Sequence, residues 1–147
     1  MADLSITAAN VDYVSGPLAK VRFGATVTRG KVVYYDSADG EWKLQDGNGS
    51  TTTPTNVNNC GIAMTDGTDG KMGLIAKNGA RINIGATAVA GVSYSATSTD
   101  VGTANGTAGG ICASSALGSG DRNFHLFTGE GTGLVTLAFD APAAALA

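Results

Sequence analysis

A chain of 147 residues is long enough for one domain that buries roughly two thirds of its unfolded surface, and here only 14% of residues are charged, for a net charge of -3. The nine basic residues are scattered singly from Lys20 to Arg122, so no stripe could neutralise a run of phosphates, and no nucleic acid is expected as a partner. No run of about 18 apolar residues offers a membrane span. The opening Met1-Ala2-Asp3-Leu4 lacks the basic and apolar regions of a secretory leader, so synthesis in the cytoplasm and no membrane partner are expected.

Taken in chain order, Leu4-Ser5-Ile6-Thr7 alternates like a strand ahead of the rest, and residues 1–23 are expected to form an N-terminal arm and the first strands. Lys20-Val21-Arg22-Phe23 alternates with period two, as a half-buried strand does. Val32-Val33-Tyr34-Tyr35 and Trp42-Lys43-Leu44 flank Ser37-Ala38-Asp39-Gly40, whose Asp-Gly pair suits a hairpin turn. The polar stretch 46–59 is too long for a hairpin connection and reads as one exposed loop. Asn78-Gly79 predicts a second hairpin between Leu74-Ile75-Ala76 and Arg81-Ile82-Asn83-Ile84. A further polar stretch, 95–110, carries Asn105-Gly106 and leaves room for a short hairpin of its own. Gly129-Glu130-Gly131-Thr132-Gly133 has no Lys to complete a phosphate loop and reads as a turn, followed by alternation in Val135-Thr136-Leu137-Ala138-Phe139. No window of eleven or more residues keeps a helical apolar face free of glycine, and the Ala-rich 141–147 predicts a flexible tail. The fold class is therefore all-β, with many tight turns supplied by 22 glycines.

An internal repeat organises these strands. Gly24-Ala25-Thr26 with Gly30 returns as Gly85-Ala86-Thr87 with Gly91, each followed by a tyrosine, Tyr34 and Tyr94. Gly61-Ile62-Ala63 is echoed by Gly110-Ile111-Cys112, and each leads through a Gly-rich acidic turn to another apolar strand, 72–75 and 124–127. The spacing predicts a β domain over 24–140 built of two similar modules, about 24–84 and 85–140.

Few residues invite chemistry. Asp66-Gly67-Thr68-Asp69-Gly70 lacks the third acidic position and terminal Glu of a calcium loop and reads as two Asp-Gly turns. Cys60 and Cys112 have no CxxC spacing and read as small buried side chains, with a disulfide between them as the alternative. His125, opposite Phe124 and Leu126 in strand alternation, has no nucleophile motif beside it and reads as structural. Tyr34, Tyr35 and Trp42 form either an aromatic surface for sugar or a cross-strand pair over the Asp39-Gly40 turn. No catalytic residue, cofactor or metal is expected.

The opening residues 1–11, the phrase Gly24-Ala25-Thr26-Val27-Thr28-Arg29-Gly30-Lys31-Val32-Val33-Tyr34 with Trp42-Lys43-Leu44, and Gly61-Ile62-Ala63 together resemble the capsid decoration, or cement, proteins of tailed bacteriophages. The resemblance extends to about residue 127; the long Ser/Thr/Asn loop and the 129–133 turn depart from it. It implies a β-barrel-like or tulip-type domain on the exterior of the virion, a homotrimer with the major capsid protein as partner, and a role in stabilising the head. Within that implication the arm residues Leu4, Ile6 and Val11 are the expected capsid contacts, and Tyr35 and Trp42 the possible aromatic surface. A tail or fibre adhesion module binding glycans and a minor hydrolase are the alternative classes.

Overall fold

Glycine follows directly where strands end at residues 15, 84 and 128, and alternation decides which side chains go inward. In the computed structural model, which describes residues 3–100, 106–142 and 144–146, the chain is all-β: eleven strands in three antiparallel sheets, with three single-turn 3-10 segments and no α-helix among the described residues. The largest sheet has the order β2-β6-β5-β3-β4, from Leu18–Arg22 (β2), Met72–Ala76 (β6), Cys60–Ala63 (β5), Val32–Asp36 (β3) and Glu41–Leu44 (β4). Val11–Ser15 (β1), Arg81–Ile84 (β7) and Leu134–Thr136 (β11) make a second sheet in the order β1-β7-β11. His125–Thr128 (β10), Ser93–Ala96 (β8) and Ile111–Ala113 (β9) make a third, in the order β10-β8-β9.

Alternation splits the buried side chains of the large sheet into two cores. One face carries Val21, Phe23, Val33, Trp42, Ala63 and Ile75, packed with Val27 into a cluster of their own. The other face contributes Val32, Cys60, Ile62 and Ala76 to the main core, which Ile82, Ile84, Ile111, Phe124, Leu126 and Phe127 complete from the two smaller sheets. An isolated parallel bridge between Phe23 and Trp42 draws the outer strands β2 and β4 together at that point. Phe23 is fully buried because two glycines make room for it: a Cβ at Gly67 would stand 2.5 Å from its Cδ2, and one at Gly73 would overlap its ring.

The Asn78-Gly79 hairpin expected between 74–76 and 81–84 does not form. β6 pairs with β2 and β5, whereas β7 pairs with β1 and β11, so Asn78-Gly79 carries the chain from one sheet to another. Opposite it, Gly16-Pro17 does the same between β1 and β2. Residues 11–15 run antiparallel to 81–84 and residues 18–22 to 72–76, so the two segments form one long ribbon with a corner in its middle. The corner needs Gly16: its φ is +95°, and a Cβ there would lie 2.7 Å from Ala80 Cα. Pro17 O accepts from Lys77 N at 3.0 Å, and Asn78 Oδ1 accepts from Phe139 N at 2.8 Å, which ties the corner to the chain's last strand region.

The Asp39-Gly40 hairpin forms as expected, with Val33 opposite Leu44 and Tyr35 opposite Trp42, and Gly40 at φ +75°. The repeat-related segments share one strand pair, β3–β5 in the first and β8–β9 in the second. The third strand is added differently: β6 joins on the β5 side, whereas β10 joins on the β8 side. The expected module boundary falls within shared structure, since β7 lies between β1 and β11. Nor is 46–59 a free loop. Asp46 Oδ1 and Oδ2 accept from Thr99 N and Thr99 Oγ1, Gly47 exchanges main-chain bonds with Thr97 and Arg122, and Thr53 is buried. Of the second polar stretch, Asn105 lies outside the described residues.

Replacing Gly16 or Gly73 by Ala should each cost about 1 to 3 kcal/mol, the first through backbone strain at the corner and the second through displacement of Phe23. Urea denaturation reads this as a lower midpoint with an unchanged slope.

Candidate partner-binding surface

The first described residues lie against their own chain. Leu4 N donates to Ile111 O at 2.7 Å, Thr7 N to Gly85 O at 2.9 Å, and Asp3 Oδ2 accepts from Thr107 N at 3.0 Å. Leu4 and Ile6, expected on an arm reaching a capsid partner, pack half-buried on the main core of their own chain, and Val11 belongs to that core at 4% exposure. Of the three expected contacts, Val11 is thus inaccessible, and Leu4 and Ile6 are engaged internally. The described part of the tail is tied down as well, by main-chain bonds between Leu146 and the 120–121 turn.

Tyr35 and Trp42 do not form an open aromatic surface. Their rings pair across β3 and β4 with centroids 5.7 Å apart, Tyr35 at 37% exposure and Trp42 at 8%. Lys77 Nζ sits 4.6 Å over the Trp42 ring, so a cation closes the face that a sugar would need. A cleft of about 670 Å³, open to solvent, lies beside Asn10, Asp12, Arg29, Asn83 and Thr87, with no aromatic ring in its lining.

Alternation on β2 and β6 leaves one sheet face bare. Val21 and Ile75 point into the inner cluster, so Leu18, Lys20 and Arg22 on β2 and Met72 and Leu74 on β6 point the other way. The second layer covers Ala76 but not these neighbours. Leu18, Met72 and Leu74 are 39%, 49% and 38% exposed, with Lys20 directly opposite Leu74 and Arg22 opposite Met72. Around the corner the exposure continues without a break from Asp12 to Leu18, including Tyr13 and Val14. β1 and β2 are both terminal strands of their sheets, so this face lies along an edge. Large apolar side chains gathered at an edge mark an interaction surface better than single exposed ones do.

A polar cluster emerges that no sequence motif announced. Ser93 Oγ stands 2.8 Å from His125 Nδ1 and 2.8 Å from Ser114 Oγ; Ser95 Oγ stands 2.5 Å from Ser114 Oγ and donates to Asn123 Oδ1 at 2.6 Å. Ser93 and Ser95 alternate on β8, and the β8–β10 register places His125 opposite Ser95. That register was the missing signal, because it joins residues 30 apart in the chain. A bulge between His125 and Phe127 lets Leu126 and Phe127, consecutive residues, both enter the core. The cluster ties β8, β10 and the 3-10 turn Ser114–Ala116 together. Elsewhere the acidic pairs act as turn locks: Asp66 Oδ1 accepts from Arg29 N at 2.9 Å, and Lys43 Nζ reaches Asp36 at 2.9 Å and Asp39 at 2.7 Å, holding both carboxyls below their ordinary range.

Cys60 and Cys112 are free thiols, both fully buried, and burial pushes Cys112 up to about 11 and Cys60 further still. In the native protein neither should react with a thiol reagent at neutral pH, and both should react after denaturation. Burial lowers His125 below its ordinary 6.5, partly opposed by Asp140. The unfolded chain then binds a proton that the folded chain resists, so this contribution to stability is complete above the unfolded value and declines as pH falls below it. Urea midpoints should therefore drop between about pH 7 and pH 5, and His125→Gln should remove that part of the slope. No family model, curated protein or solved structure matches this chain.

Proposed function

We propose that this chain is a structural virion protein that decorates the exterior of a phage head as a homotrimer and stabilises it by bridging major capsid subunits. The observation that carries the reading is the bare face of β2 and β6, where Leu18, Met72 and Leu74 stand exposed together at a sheet edge. A chain with 14% charged residues gains little solubility from such a face, and burial against a partner removes the cost. Apolar contact of this kind, repeated around a trimer, gives each weak contact a high effective concentration, which suits a clamp on a shell under internal pressure. The sequence resemblance to cement proteins supports the same assignment. Main-chain bonds from Leu4 and Thr7 to their own chain favour a contact through the sheet face over one through a free arm.

The test uses heads stripped of this protein. Added back, it should saturate them and raise the temperature at which they release DNA, and Leu18→Ser with Met72→Ser and Leu74→Ser should fold yet fail to decorate. Heads equally heat-resistant with and without the protein would end the cementing role, and binding to host-surface glycans in place of heads would put the adhesion reading in its stead.

A further inference from the structure

We propose that the β2–β6 face is a docking site for an acidic segment of a partner protein, with carboxylates of the segment on Lys20 and Arg22 and its apolar side chains on Leu18, Met72 and Leu74. The inference deepens the capsid reading and rests on it for the partner being a capsid subunit.

Charge carries the argument. Elsewhere the chain pairs Arg29 with Asp66, Lys43 with Asp36 and Asp39, and Arg81 with Glu130 through two hydrogen bonds, while Lys31, Lys77 and Arg122, which have no acidic partner among the described residues, are half-buried. Lys20, Arg22 and Lys71 are the exposed cations of the chain, and none has an acidic partner among the described residues. These cations stand where the apolar side chains are bare, Lys20 opposite Leu74 and Arg22 opposite Met72. In a protein of net charge -3, an acidic segment is repelled by the surface at large and drawn to this face, which orients it before contact.

The same facts select among occupants. Two residues apart on one strand, the cations stand roughly 7 Å from each other, the repeat of alternate side chains in an extended segment. A phosphate backbone would gain only two or three neutralised charges and would lay its charge over three apolar side chains. Two copies of this chain meeting through the face about a two-fold axis would set Lys20 and Arg22 against their own kind.

Two arms test the site. In the first, stripped heads are titrated with the wild type, with Lys20→Glu/Arg22→Glu, and with Arg122→Glu as a cation changed elsewhere; melting midpoints check that all three fold. The expected result is binding about tenfold or more weaker for the double variant, unchanged for Arg122→Glu, and weakened for the wild type by added salt. A double variant that decorates like the wild type overturns the site and leaves the capsid reading intact. If the wild type itself binds no heads, the capsid reading falls and the second arm decides the site: backbone amide shifts on adding a peptide that alternates glutamate and valine, against one that alternates lysine and valine. Shifts confined to β2 and β6 with the acidic peptide alone uphold it. Absence of shifts, equal shifts with both peptides, duplex DNA binding lost in the double variant, or self-association lost in the double variant each overturn it.

Discussion

The corner at Gly16-Pro17, closed against Asn78-Gly79-Ala80, holds two of the three sheets in register with each other. The approach is so close that a Cβ on Gly16 would lie 2.7 Å from Ala80 Cα, and the φ of +95° there suits glycine alone. Pro17 supplies the carbonyl for Lys77 N and offers no N–H that the corner would have to satisfy. With that corner in place, a single ribbon of residues 11–22 and 72–84 serves both sheets, and the main core forms between them.

The cost of the arrangement falls on β2 and β6. Beyond the corner their inner face is claimed by Phe23, Val21 and Ile75, and the second layer reaches only as far as Ala76. The remaining outward face has no cover from its own chain. Its cations are exposed and unpaired, whereas Arg29, Lys43 and Arg81 elsewhere are half-buried and held in ion pairs. An apolar face flanked by exposed, unpaired cations is therefore a consequence of how the ribbon bends, and the proposed contact with a capsid subunit uses a region that the fold leaves uncovered.

Polar side chains do much of the work that a larger core does in other domains. Asp46 receives Thr99, Asp121 receives Ser98 Oγ at 2.6 Å in the interior, and Asn78 receives Phe139 N. Each joins segments far apart in the chain, so long turn-rich stretches are fixed without helices. The thiols of Cys60 and Cys112 take no part in this cross-linking and serve as small packing groups.

Local chemistry alone determined a good deal. Alternation in 20–23, 81–84 and 135–139 marks strands or extended segments that the fold contains, and the Asp39-Gly40 turn forms the hairpin it signals between 32–35 and 42–44. These features depend on neighbours within a few residues, which is why they are legible. What only the tertiary structure decided is partner choice and which face is covered. Asn78-Gly79 specifies a tight turn, but the same dihedral angles serve a hairpin and a sheet-to-sheet corner, and the difference lies in β1 and β2, some 60 residues away. Residues 72–75 read only as an apolar strand, with no sign of which side is covered; Gly73 faces inward, where Phe23 takes the space, and Met72 and Leu74 are turned out. Likewise Val11 and Trp42 are buried, and Ser93 meets His125, through contacts that long-range register creates and that no local pattern encodes.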